Sequence, residues 1–357
     1  MALTTPAADN QVTVWDSDFF SEYVRANRFK RYMGTDENSI IVLKDDLTVK
    51  KGGRISIPLV GKLEGSGQTG NNTLEGNEEA LANYAHYVEV DTLRHAVAVT
   101  EHDEQLTEID LRKAGKAQLK VWSMEKMRLN IITALGSISG VAYAIATAAQ
   151  RNAWNVSNAD RVLYGSAVSN YNATHSTALA NIDNTDDKLT RKVVSLAKRI
   201  AEDADPIVRP VTVGEDEETY VMFVGSLGFR DLKEDLATVL KDAETRGKTN
   251  PLFRDGDLMW DGVVIRKIPE IDIIAAAGAD PDGAGALGPI DVAPAFLCGA
   301  QAVAVAWAKR TKSTSDVRDY GFVQGVGIRE MRGIEKLVYN SKDHGVVTVF
   351  HAAVADA

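Results

Sequence analysis

Residues 54–100 read RISIPLVGKLEGSGQTGNNTLEGNEEALANYAHYVEVDTLRHAVAVT. Two stretches of strand-like alternation, residues 54–61 and 88–99, bracket a long middle rich in Gly and Asn. A structureless stretch of that length is unusual inside a compact domain. The spacing therefore predicts an extended β-hairpin, spanning 49–103 with its flanks, whose polar tip projects from the body.

Directly after it, the pattern predicts a long helix over 104–135. Ala117, Val121, Met124, Ile131 and Leu135 form one apolar stripe, and Leu111, Trp122 and Leu129 form another. Two stripes predict cover on two sides. Upstream, residues 1–48 carry Trp15, Phe19, Phe20, Tyr23, Phe29 and Tyr32 and read as an arm with a short helix around 17–32. Downstream, Asp186 and Asp187 open a helix with Leu189, Val193, Leu196, Ile200 and Ala204 on one face. A further helix is expected over 229–244. Strands are expected at 207–213, 219–224, 262–268, 300–307, 322–331 and 345–350, with a glycine-rich loop at 278–289. Helices and strands are mixed without βαβ alternation, so the class is α+β.

The chain has 357 residues, 45% hydrophobic and 25% charged, as a folded globular protein would. Its net charge of −10 is uneven. Residues 61–110 hold two basic side chains, Lys62 and Arg94, against eleven acidic ones, whereas residues 111–135 hold six basic against Glu125 alone. Part of that contrast suits a helix whose acidic start and basic later turns complement its dipole. The acidic stretch from Glu64 to Asp91 precedes the helix, and an oppositely charged neighbouring copy of the same chain is a simple partner for it. Glu75, Glu78 and Glu79 are the candidate inter-subunit contacts. Acidity weighs against tight binding of duplex DNA, which needs clustered Lys and Arg.

Little in the sequence points to catalysis or to a bound cofactor. Gly65-Ser-Gly67-Gln-Thr-Gly70 matches a dinucleotide fingerprint as a string, but Asn71-Asn72-Thr73-Leu74-Glu75-Gly76 is not the helix start that would hold a pyrophosphate. His95 and His102 flank Glu101, Asp103 and Glu104 without metal-ligand spacing, and Asp280-Pro-Asp282-Gly283 lacks the later ligands of a calcium loop. Gly136-Ser-Ile-Ser-Gly140 centres on Ile138, so it is no nucleophile elbow. Cys298, the single cysteine, lies in an apolar run and reads as a buried small side chain in a reducing compartment. The uncharged run 131–149 reads as a buried helix end and a turn of small residues rather than a membrane span. No catalytic residue, cofactor or metal site is assigned.

Several strings in order resemble the major capsid protein family of N-four-like tailed phages: Asn72–Glu79, Leu93–Val97, Asp110–Arg112, Leu163–Gly165, Asn250–Phe253, Trp260–Ile265, Leu297–Ala302 and Gly333–Lys336. The resemblance implies the Hong-Kong-97-type capsid fold. On that plan 1–48 is the N-terminal arm and 49–103 the extended loop. Residues 104–185 are the peripheral domain with its spine helix, 186–290 the axial domain, and 291–357 return strands to the periphery. It implies a major capsid protein that assembles with itself into hexamers and pentamers of an icosahedral shell around double-stranded DNA. Assembly would take place in the host cytoplasm. A portal is the expected partner, scaffolding and decoration proteins are further ones, the DNA is held only loosely, and no membrane is involved. Some related shells crosslink through a loop lysine; Lys62 is the only one between the two strand-like stretches, and no crosslink is predicted. The alternatives are a bacterial nanocompartment shell of the same fold and a soluble nucleotide-binding enzyme.

Overall fold

The computed structural model describes residues 28–48, 52–63, 65–107, 109–213, 217–237, 258–271 and 291–354. The expected arm helix falls mostly outside these residues, as do the end of the 229–244 helix, the loop at 278–289 and the string Asn250–Phe253. Helices and strands are mixed, as expected of an α+β chain, and the contacts divide into two compact units.

The first unit takes in Thr92–Met127 and Arg310–Met331. Strand Asp91–Thr100 ends where Thr100 caps the short helix Glu101–Leu106, its hydroxyl accepting from the Asp103 amide at 3.1 Å. The helix expected over 104–135 is therefore interrupted. Thr107 is extended (φ −118°, ψ 142°), and a second helix, Leu111–Leu135, begins where the Asp110 carboxylate accepts from the Lys113 amide at 2.8 Å. Capping is what divides them, since each side chain satisfies an otherwise orphaned helix-start amide. Leu119 and Trp122 of this helix pack on Val97, Val326 and Ile328. Gly115 allows close approach, because a methyl there would already stand 3.3 Å from Val97. Polar ties flank the apolar seam: Arg112 donates to Gln324 at 2.7 Å, and Ser123 and Thr311 both donate to Glu330. One expected stripe is only half covered, for Ala117 is exposed and Met124 is 44% exposed, while Ile131 and Leu135 are buried.

The second unit takes in Arg28–Asp91, Arg128–Lys309 and Arg332–Ala357. Its centre is a seven-stranded sheet. Along the sheet run Val162–Tyr164, Val346–Ala352, Val292–Cys298, Glu217–Val224, Val263–Lys267 and Leu258–Trp260, with Val211–Val213 pairing to Glu217–Val224 off that path. Every residue of Val292–Cys298 and of Val346–Ala352 is buried, the signature of strands covered on both faces. Helices Arg191–Asp203 and Ser226–Asp235 cover one face through Val193, Ala197, Phe229 and Leu232, packed against Met222, Ile265, Leu297 and Val349. On the other face Phe29 and Tyr32 set their rings edge-on to Phe223, at 5.0 and 5.5 Å. A third cluster gathers Trp154, Tyr164, Leu179 and Phe350.

Three further expectations need adjustment. The strand read over 88–99 is two strands, Asn83–Glu89 and Asp91–Thr100, in different sheets. The helix placed from Asp186 starts at Arg191; Asp187 instead accepts from the Ser166 amide and hydroxyl and from the Asp183 amide. A boundary at 290 separates strands of one sheet, since Val292–Cys298 pairs Glu217–Val224 directly. Alternation reveals a strand but not which sheet receives it. After Leu135 the chain turns through Ser139 and Gly140, both at positive φ, with Ile138 and Val141 exchanging backbone hydrogen bonds. No described helix is long and apolar enough to cross a membrane.

Candidate assembly interface

Strands Arg54–Val60 and Asn83–Glu89 pair antiparallel with Ile55 opposite Val88 and Leu59 opposite Tyr84. Period-two alternation turns Ile55, Ile57 and Leu59 to one side, where they pack with Val88, Ala304, Ala306, Leu337 and Tyr339. Arg54, Ser56, Pro58 and Val60 face water. One row of side chains therefore anchors the hairpin and the other is left open.

The anchor uses Gly333, Glu335 and Lys336 of the string Gly333–Lys336. A methyl group on Gly333 would overlap the Glu89 carbonyl oxygen, so only glycine lets the hairpin backbone sit this close. Glu335 accepts from the Glu89 amide at 3.1 Å and pairs with His86 at 3.3 Å. The Tyr339 hydroxyl donates to the Ile57 carbonyl. Beneath, Lys336 and Asp343 form a buried ion pair at 2.7 Å, and Trp154 donates to the same carboxylate. Other resembling strings also fix close approaches. Gly299 would collide with the Arg209 carbonyl if it carried a side chain, Gly165 with Asp187, and Asp261 and Gly262 make the tight turn between Trp260 and Val263.

Beyond the anchor, the described residues between Lys62 and Leu81 are exposed. Glu78 accepts from the Gly76 amide and Glu79 from the Gly65 amide, each at 2.8 Å, while Asn77 closes a turn onto Thr73 and Leu74. Glu75, Glu78 and Glu79 thus share one solvent-facing tip. Lys62 lies 3.4 Å from Asp205, both largely exposed, a pair of little energetic weight. Sequence reading missed the apolar part of the tip. Leu63, Leu74 and Leu81 are 62, 61 and 58% exposed, and Val60 and Tyr87 are also open to water. Their signal was present, since isolated leucines in a Gly- and Asn-rich loop have nothing nearby to cover them.

The acidic run is divided by the fold. Glu75, Glu78, Glu79 and Glu89 belong to the hairpin, whereas Glu101, Asp103, Glu104 and Asp110 sit at two helix starts. The glycine fingerprint is followed by loop and turn instead of a helix, so no amide cradle for phosphate is present there. His95 stacks on Trp122 at 4.6 Å, His102 lies on the short helix, and no group of metal-ligating side chains occurs among the described residues. Cys298 is buried, and burial pushes its thiol well above the ordinary range.

Comparison with known proteins agrees with this geometry. The phage capsid protein family matches residues 4–355. The major capsid protein of Pseudomonas phage KPP25 is 29% identical over 365 residues, covering 97% of this chain and 96% of that one. The capsid asymmetric unit of cyanophage Pam1 superposes with a TM-score of 0.90 at 37% identity, and the capsid of Ralstonia phage GP4 with 0.74 at 25%, each over 100% of both chains.

Proposed function

Because the chain belongs to the phage capsid protein family, we propose that its exposed hairpin is the element by which one copy seizes the next as the shell is built. The protein is a major capsid protein with the Hong-Kong-97-type fold, as its sequence resemblance implied, and its role is structural.

The observation that carries the hairpin's part is the contrast between its two rows of side chains. One row is held by the body, and the tip leaves acidic and leucine side chains in water. Apolar burial between copies stabilises association at about 25 cal/mol per Å² before ordering costs, and charges at the rim set orientation more than strength. The hairpin of one subunit lies over its neighbour. In this reading the seven-stranded sheet and its helices serve as the axial domain, the Leu111–Leu135 helix is the spine of the peripheral domain, and the arm expected over 1–48 reaches another subunit by its first part, since Phe29, Tyr32 and Ile41–Lys44 pack on the chain's own sheets. Hexamers and pentamers close around double-stranded DNA in the host cytoplasm, with a portal at one vertex and a separate scaffold or decoration protein as further partners.

Electron microscopy of the purified protein tests the reading, with closed particles expected. Changing Glu75, Glu78 and Glu79 together to lysine should impair particle formation while leaving the subunit's circular dichroism and melting temperature unchanged. Normal shells from that variant, or loss of subunit folding, would sink the hairpin's role.

A further inference from the structure

The seam between the hairpin and its own body is built of side chains that keep one charge state near neutrality. Ile55, Ile57, Leu59 and Val88 pack on Ala304, Ala306, Leu337 and Tyr339, and burial pushes the Tyr339 hydroxyl up to about 12. Among the described residues, His86 is the exception. It stands two residues before Val88 on the strand Asn83–Glu89, so period-two alternation turns it toward the body as well. Its ring lies edge-on to Tyr339 at 6.3 Å.

The Nε2 atom of His86 is enclosed and makes no hydrogen bond among the described residues, yet Oε2 of Glu335 lies 3.3 Å from it. The other oxygen of that carboxylate already accepts from the Glu89 amide at 3.1 Å, which aims the group at the hairpin. A neutral imidazole with its proton on Nδ1 meets Glu335 lone pair to lone pair. An imidazolium carries a hydrogen on Nε2 and the opposite charge, and such charge-assisted bonds are the stronger kind. The other groups around the pair have their own engagements. Ile57 stands opposite His86 on the neighbouring strand, and Lys336 is held by Asp343 at 2.7 Å. Arg332 lies over the Trp307 ring at 5.8 Å and lines a cleft with Glu335, Asn130 and Thr133.

We infer that His86 and Glu335 form a proton-operated latch that fixes the hairpin to the body of its own subunit. In acid the imidazolium donates to the carboxylate, and as pH rises through the range where histidines change charge the proton leaves and the bond is lost. The sign follows from the partner: charged His86 gains Glu335 only while the hairpin is seated, so the contribution is complete at low pH and disappears at high pH. Buried His175 and His344 act in the opposite sense, because burial disfavours their charge. The element offered to another copy is thereby held more firmly in acid than in mild alkali. The latch lies within one subunit and does not rest on the shell reading.

Hydrogen exchange on the full chain as free subunits tests it. Corrected for intrinsic rates and referred to the amides of Val346–Ala352, protection of the Glu89 amide should be at least about threefold greater at about pH 5.5 than at about pH 7.5, the scale of a partly exposed ion pair. His86→Gln, which cannot take up a proton, should abolish the difference. Glu335→Gln, which still accepts from the Glu89 amide, should abolish it too. A flat or reversed dependence in the unaltered protein overturns the inference whatever the variants do. Persistence of the difference in either variant overturns it as well, and the reference amides show whether each variant has kept its central sheet.

Discussion

The hairpin strands Arg54–Val60 and Asn83–Glu89 and the central strands Val292–Cys298 and Val346–Ala352 are alike in length and opposite in surroundings. The central pair is buried at every position, and the hairpin pair is buried at few. Sheet pairing is therefore common to both, and side-chain cover is what differs. In the central pair the side chains stabilise the subunit that carries them. In the hairpin about half of them are left in water, and the proposed function gives those to another copy. A capsid subunit separates the two tasks, so folding and assembly can be damaged independently.

The contrast is easiest to break from the buried side. Leu297→Ala should cost the subunit about 3 kcal/mol, as cavity-forming core changes do, read as a fall in the denaturation midpoint. An unchanged midpoint would mean that the sheet is not the stabilising centre. Acid should act on the same region. Burial holds His175 down at about 3, helped by the nearby Arg151 charge, and His344 at about 4, with Arg161 and Arg209 adding to it. Below the ordinary histidine value the unfolded chain takes up protons that the folded chain refuses. Stability should therefore fall as pH drops from about 6.5 toward 4, by about 1.4 kcal/mol per unit for each histidine. Replacing His175 by Gln should flatten that slope, and a slope unaltered in the variant would count against burial as its cause.

Gly333→Ala lies on the border between the regions. Its methyl must displace Glu89, so the base of the hairpin should loosen for about 1–2 kcal/mol of subunit stability, seen as faster proteolysis within 62–81 but not within the sheet. Equal acceleration at both places would erase the distinction. Leu74→Ser with Leu81→Ser should shift subunit stability by less than about 0.5 kcal/mol yet reduce particle yield severely, since both residues are open to water in the free chain. Lys62→Ala should be the mildest, below about 0.5 kcal/mol, its pair with Asp205 being exposed; a larger loss in a melting curve would show that the pair latches the hairpin.

The sequence was legible where the physics is local. Alternation over 54–61 and a Gly- and Asn-rich middle revealed the hairpin, and the heptad-like stripes revealed the long helix. Its interruption at Thr107 was missed because one hydroxyl and one carboxylate acting as caps decide it. Membership of sheets was not legible, because Val162–Tyr164 meets Val346–Ala352 across most of the chain and no local signal specifies the partner. Among site residues, the acidic tip could be read from charge. The exposed leucines could not be read as such, since only the fold shows Leu63, Leu74 and Leu81 left in water.

The position of Val346–Ala352 has a consequence for how the protein is made. That strand fills the gap between Val162–Tyr164 and Val292–Cys298, which have no pairing with each other in its absence. Synthesis proceeds from the N-terminal end, so the central sheet cannot close until residue 352 has left the ribosome. A chain broken off anywhere earlier retains an open slot in its core.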